Sequence, residues 1–198
     1  ADDGERLVLR LVTELLPDRF GLDPRADVQV LTPMQRGVLG ARNLNQVLQQ
    51  ALNPDAPGIE RFGLTFRVGD KVMQIRNDYD KEVFNGDIGR IARLDDQERE
   101  ATIEFDGRPV EYLYDEFDEV TLSYAVTIHK SQGSEYPCVV LPIHTQHYVM
   151  LQRNLVYTGI TRGRRLVVVV GTRKAMAIAV RRSESRARVT TLRERLWR

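Results

Sequence analysis

Three short stretches of this chain carry side chains suited to phosphate chemistry. "TIHKSQGSE", Thr127 to Glu135, crowds a lysine, two serines and a glycine between two apolar runs. These are parts of a phosphate-binding loop in the wrong order. A P-loop needs G-x-x-x-x-G-K-[ST], so that glycine amides wrap the phosphates and the lysine follows the second glycine. No Gly-Lys pair occurs anywhere in the chain, so this stretch can meet a nucleotide only as partner to a phosphate cradle that lies elsewhere. In "NLVYTGITRGRR", Arg162 falls near the end of a helical pattern, four residues after Thr158. A guanidinium held rigidly there can bridge two phosphate oxygens, which an ammonium cannot, and Arg162 is an arginine-finger candidate. "TPMQRG" places Gln35 and Arg36 just past the apolar run "VQVL", and ligands of open α/β sheets bind beyond the carboxyl ends of strands.

The elements that must position these groups follow from periodicity. Residues 4–16 space Leu7, Leu11 and Leu15 four apart with Val8 and Val12 beside them, which predicts an amphipathic helix that the prolines and glycine of "LPDRFGLDPRAD" break. "VQVLTP" predicts a short buried strand and "GARNLNQVLQQALNP" a helix ended by Asn-Pro. From about residue 60 the pattern changes to short alternating strands. In "ATIEFD", Ala101, Ile103 and Phe105 share one face, and Asp106-Gly107 predicts a hairpin turn. After residue 120 the pattern predicts a strand "LSYAVTI", a loop "HKSQGSEY", a strand "CVVLPI", a helix across "VMLQRNLVYTGITRG" and a strand "LVVVVG". An unbroken valine run of that kind predicts a parallel strand covered on both faces. The most economical fold is α/β: one parallel-sheet domain built from 1–58 and 118–198, interrupted at 59–117 by a small inserted β-barrel.

Composition bounds the function class. At 198 residues and 42% hydrophobic content the chain can bury a proper core, and its one cysteine, Cys138, excludes a disulfide framework and predicts a reducing, cytoplasmic setting. No apolar run has the length of a membrane span, so no membrane partner is expected. The opening residues lack a methionine and start at once on a helical pattern, which predicts a piece of a longer protein. Net charge is only +1, yet residues 77–119 carry 5 basic and 15 acidic side chains while 120–198 carry 14 and 3. The basic stretch would attract phosphate backbones. Seven of its arginines lie in 181–198, where a solvated tail is the simpler reading.

Taken together, "TIHKSQGSE", "NLVYTGITRGRR" and "LTPMQRG", placed around a barrel that opens "GDKVMQIRNDYDKEVFNGDIG", resemble the C-terminal part of RecD-like DNA helicases of superfamily 1. The likeness runs over nearly the whole chain, and "GSE" fits that pattern better than that of Pif1-type helicases. It implies the second RecA-like motor domain, with an inserted barrel of the Src-homology-3 type, of an ATP-dependent, 5′-to-3′ DNA helicase. By this resemblance Arg36 would be the arginine of motif IV and Arg162 that of motif VI, both reaching the γ-phosphate of ATP held with Mg²⁺ mainly by a preceding RecA-like domain. Gln35 would stand beside that nucleotide. Gly133 and Glu135 would lie along it, and Thr127, His129 and Ser131 would face the backbone of single-stranded DNA. Gly159 and Gly163 stand where the family has alanines, which predicts a helix looser by about 1 kcal/mol at each.

The barrel's "RNDYDKEVFNGDIG" has two readings: a DNA-gripping loop with Tyr79 and Phe84 stacking on bases and Asn85 bonding, or a hairpin whose Asn-Gly supplies the turn. His144 and His147 lack cysteine or carboxylate companions, and no protein-held metal is expected. With neither a Walker A nor a Walker B pattern, the chain alone is expected to be inactive as an ATPase. The alternative reading is a non-catalytic nucleic-acid-binding module without a motor. Recombination or repair subunits are the partners that the family would add.

Overall fold

A computed structural model of the chain describes residues 2–182; the arginine-rich stretch beyond 182 lies outside the described residues. The first element is a helix in three joined parts: α1 (Asp2–Arg10), one π turn (Leu11–Leu15) and α2 (Leu16–Phe20). It does not break at Pro17 as the sequence suggested. The wide turn, in which the Leu16 amide reaches back five residues to the Leu11 carbonyl, accommodates a proline that would collide with the i−4 carbonyl of a regular helix. The helix ends instead at Gly21, left-handed at φ 62. Its buried stripe is Val8, Val12 and Leu16, while Leu7 is exposed.

Four parallel strands follow this helix in the α/β layer, β1 (Val28–Thr32), β9 (Ala125–Thr127), β10 (Tyr136–Ile143) and β11 (Gly163–Gly171), ordered β11-β10-β1-β9. α1 and α3 (Ala41–Leu52) cover one face and α4 (Arg153–Ile160) and α5 (Arg173–Arg181) the other. The two faces split the strand residues by parity: Val28, Val30, Cys138 and Val140 in one apolar cluster, Leu31, Val139 and Leu141 in the other. Burial pushes the Cys138 thiol up to about 11. The valine run of β11 is parallel as its composition suggested, but it is not fully covered on both faces. It is an edge strand of the described sheet, and Val169 is 40% exposed.

Between α3 and β9 lie a hairpin, β2 (Gly58–Arg61) with β3 (Leu64–Arg67), and a five-stranded antiparallel sheet. The latter holds β4 (Lys71–Gln74), β5 (Ile88–Asp95), β6 (Glu100–Phe105), β7 (Arg108–Leu113) and β8 (Val120–Leu122) in the order β7-β6-β5-β4-β8. Ala101, Ile103 and Phe105 are buried as their alternation required. Asp106 and Gly107 both take positive φ, 48 and 79, the signature of the two-residue turn that matches strand twist. Phe66 and Phe117 meet edge to face at 4.9 Å in this core.

"LSYAVTI" is not one strand. It divides at Ser123–Tyr124, with β8 paired to β4 of the antiparallel sheet and β9 paired to β1 of the parallel one. Pattern alone could not separate two short buried strands that are adjacent in sequence. One apolar cluster runs through this junction, from Val8 and Val30 to Val72, Leu122 and Phe117. The helix expected across residues 149–163 is shorter: a 3₁₀ turn (Thr145–Met150) precedes α4, and Gly163 already belongs to β11. Gly159 has a packing reason rather than a propensity cost, since a Cβ there would stand 2.9 Å from Leu141 Cδ1. No helix among the described residues is long and apolar enough to cross a membrane.

Candidate nucleotide and nucleic-acid surfaces

Arg162 stands at the amino end of β11, one residue after the α4 C-cap Thr161. Its Nε donates to the Thr158 carbonyl at 3.3 Å, Nη1 to the Ser134 carbonyl at 3.2 Å and Nη2 to Thr161 Oγ1 at 3.3 Å. Its own carbonyl accepts from the Tyr136 amide at 2.8 Å. A guanidinium has five N–H groups, and these contacts engage one on each nitrogen. One N–H on Nη1 and one on Nη2 remain without a hydrogen bond to the described residues, donors of the kind that bind anions. The half-buried side chain is thus held in place with donor capacity left on both terminal nitrogens.

The facing loop is shaped by Gly133, whose φ of 90 suits only glycine. Glu135 is exposed and pairs with Arg164 Nε at 2.9 Å. A register shift permits this pair: two residues of β10 from Tyr136 to Cys138 span three of β11 from Gly163 to Leu166, a bulge that re-aims Arg164. Arg164 and the Ser134 carbonyl escaped the sequence reading, because a bulge leaves no periodic signal.

Gln35 and Arg36 lie at the opposite end of the sheet. They follow the carboxyl end of β1 on an exposed turn, closed where the Ala41 amide donates to the Met34 carbonyl at 3.0 Å and the Arg42 amide to the Gln35 carbonyl at 3.1 Å. Gly40 makes that turn possible, since a Cβ would fall 2.4 Å from the Arg36 carbonyl carbon. The register pairs Val28 with Cys138 and Tyr136 with Gly163, so Thr32 and Gly163 differ by six residue steps along the strands, roughly 20 Å at the usual rise. The structure therefore does not bring Arg36 together with Arg162.

Thr127, half-buried, pairs with Thr32 at that same carboxyl end, and His129 and Lys130 are exposed on the 3₁₀ turn Ile128–Ser131 that follows. Ser131 does not join them. It has no exposure, and its hydroxyl donates to the Ile128 carbonyl at 2.7 Å, because the tight turn folds it inward.

In the antiparallel sheet both readings of "RNDYDKEVFNGDIG" have a counterpart. Asp78 bridges Val83, and Gly86, at φ 104, closes a turn in which the Asp87 amide donates to the Phe84 carbonyl at 2.9 Å. This small hairpin presents Tyr79, 74% exposed, and Phe84, 45% exposed, edge to face at 6.0 Å. Asn85 is exposed beside them, its amide donating to Asn77 Oδ1 at 2.9 Å. Phe84 also borders an open cleft of about 1270 Å³ between the two sheets, which reaches Ser134 and Glu135. Its charges are mixed, Arg90 and Arg108 against Glu104, Asp106 and Glu135, which is unlike a groove for a phosphate backbone.

His147 is buried and neutral, pushed down to about 4 by desolvation, and its Nδ1 accepts from the His144 amide at 3.3 Å. The two histidines cap the turn Thr145–Met150.

Residues 44–105 match the family of the ATP-dependent RecD-like DNA helicase SH3 domain, and residues 122–170 that of the UvrD-like helicase C-terminal domain. The ATP-dependent RecD2 DNA helicase of Deinococcus radiodurans is 41% identical over 195 residues, 98% of this chain. Over nearly its whole length the chain is similar to RecD-like helicases. RecBCD enzyme subunits RecD of Haemophilus influenzae and Mycolicibacterium smegmatis are 30% and 31% identical over 80% and 95% of this RecD-like chain. The chain spans 26%, 24% and 32% of these three relatives. Among solved structures, Pif1 helicase from Bacteroides in complex with ADP-AlF3 and ssDNA superposes with a TM-score of 0.58 at 17% identity over 85% of this chain and 46% of that one. Pif1 helicase from Candida albicans does so at 0.52 and 18%, over 89% and 53%. Likeness at that identity speaks for the fold, a parallel sheet flanked by helices and joined to an antiparallel sheet.

Proposed function

We propose that this chain is the part of an ATP-dependent DNA helicase motor that closes over the nucleotide and faces single-stranded DNA. In this reading residues 1–58 and 118–198 form a RecA-like domain and 59–117 a small inserted barrel. A preceding RecA-like domain holds ATP and Mg²⁺ in the cytoplasm, and the motor runs 5′ to 3′, in repair or recombination and alongside partner subunits. The observation that carries the reading is Arg162, fixed by three hydrogen bonds with two N–H groups left to meet an anion. Phosphoryl transfer is catalysed mainly by positioning and charge neutralisation, so an arginine delivered by a second domain ties cleft closure to hydrolysis. Gly133 and Glu135 border the same nucleotide.

At the carboxyl end, Thr127 and His129 grip the DNA backbone. Because Gln35 and Arg36 stand at that end, we assign them to the DNA side rather than to the phosphate met by Arg162. Tyr79, Phe84 and Asn85 add a stacking contact from the barrel. The names of the relatives support this reading: the Deinococcus protein is an ATP-dependent DNA helicase, and the Bacteroides Pif1 complex holds ADP-AlF3 and ssDNA.

The test compares the isolated chain with the full-length protein. The chain alone should not hydrolyse ATP and should bind single-stranded DNA weakly, whereas the full-length protein should show DNA-stimulated hydrolysis. Nanomolar binding by the chain alone with a steep salt slope, and a full-length protein without turnover, would instead favour a non-catalytic nucleic-acid-binding module.

A further inference from the structure

The junction at Ser123–Tyr124 is tied by a side-chain network that no role above uses. Asp70, fully buried just before β4, accepts four hydrogen bonds on its carboxylate. Tyr124 OH and Asn53 Nδ2 donate to Oδ1, each at 2.8 Å, while the Arg67 amide at 2.7 Å and Gln49 Nε2 donate to Oδ2. One carboxylate therefore joins the α3 end, the antiparallel sheet and the residue that precedes β9.

β9 needs such a tether. It is three residues long and lies at the edge of the described parallel sheet, bonded through its backbone to β1 alone. Its other anchors are side chains. Asn45 Oδ1 accepts from the Ala125 amide and Asn45 Nδ2 donates to the Ala125 carbonyl, both at 2.8 Å, and Gln29 Nε2 donates to the Ser123 carbonyl at 2.9 Å. Three residues beyond Tyr124 the strand ends at Thr127, where the loop to Glu135 begins. A buried carboxylate with every donor in place has one well-defined geometry, and the loss of one donor is felt by all.

We propose that Asp70, acting through Tyr124, is a positioning residue that transmits the placement of the antiparallel sheet to the loop 127–135 and so couples the barrel to the DNA grip. The inference rests on the function proposed above for that loop. Asp70 touches neither DNA nor nucleotide. Its effect travels along β9, so a load on the barrel shifts Thr127 and His129 relative to the phosphate contact of Arg162.

The experiment uses the full-length protein with Tyr124→Phe, which removes one hydroxyl and keeps the ring, and with Asp70→Asn. Hydrogen exchange reads the positioning itself. Amides of 125–130 should exchange about tenfold faster in Tyr124→Phe, with those of Gly133, Ser134 and β5 to β7 unchanged. Hydrolysis without DNA should stay at the wild-type rate, while the single-stranded DNA concentration for half-maximal stimulation rises about tenfold. In combination with Thr127→Ala the effect on DNA stimulation should be less than additive, as for two changes acting through one loop. Unchanged exchange at 125–130, or loss of hydrolysis with and without DNA in the same proportion, overturns the inference. A wild-type protein without DNA-stimulated hydrolysis counts against the proposed function instead, and the exchange result then decides the inference by itself.

Discussion

At the scale of single residues, the arginine was readable and its support was not. Arg162 announces itself by following a helical pattern and a small-residue turn, but its contact with the Ser134 carbonyl joins residues 28 apart in sequence. Replacement by lysine keeps the charge and loses the fork, so Arg162→Lys should restore little of the turnover that Arg162→Ala removes. Ser131, which the resemblance would turn toward DNA, is folded inward because the 3₁₀ turn brings its hydroxyl onto the Ile128 carbonyl. Lys71 gives a pH test. Burial lowers its ammonium to about 8 from an ordinary 10.5, with Nζ donating to the Val28 carbonyl at 3.2 Å. Below about pH 8 both folded and unfolded chains hold the proton, and the fold bears the desolvation. Between about 8 and 10.5 only the unfolded chain keeps it, so stability rises with pH across that window. Urea unfolding of wild type and Lys71→Met should show wild type gaining roughly 3 kcal/mol on the variant from pH 7 to 10.5; parallel pH profiles would remove Lys71 as the cause.

At the scale of elements, strong local signals succeeded and junctions failed. The Asp106-Gly107 turn and the Ala101, Ile103, Phe105 face came directly from pattern, because turn chemistry and period-2 burial are local. A Cβ added at Gly107 would meet nothing within 4 Å, so Gly107→Ala should cost only the left-handed strain, about 1–2 kcal/mol in thermal or urea unfolding. The β8–β9 division and the edge position of β11 depend on which sheet a strand joins, and no window of sequence encodes that. The Tyr79–Phe84 hairpin lies between these cases: its turn and its available rings were legible, and their edge-to-face contact was not. If the pair stacks on bases, Tyr79→Ala should weaken single-stranded DNA binding by about 1–3 kcal/mol in anisotropy titrations, with little change of salt slope. A loss confined to the slope would indicate a phosphate contact instead.

At the scale of the whole molecule, charge and topology divide the work. The acidic stretch 77–119 is partly neutralised within its own sheet, by Arg76 with Asp118, Lys81 with Glu116 and Arg99 with Asp115. The arginine proposed to meet an anion stands at the amino end of the parallel sheet, and Gln35, Arg36, Thr127 and His129, proposed to face DNA, stand at its carboxyl end. That separation predicts distinct phenotypes for the two arginines. Arg36→Ala should weaken DNA binding and lower the salt slope by about 1, as for one lost phosphate contact. The most direct test is DNA-stimulated ATP hydrolysis by the full-length protein carrying Arg162→Ala, with ATP affinity measured alongside. Turnover should fall by about 10³ or more, the range for a lost arginine finger, while ATP binding changes only a few-fold and DNA binding is retained. Wild-type turnover in Arg162→Ala, or an equal collapse in Arg36→Ala at unchanged DNA affinity, would contradict the assignment of Arg162 as the phosphate-facing arginine of this domain.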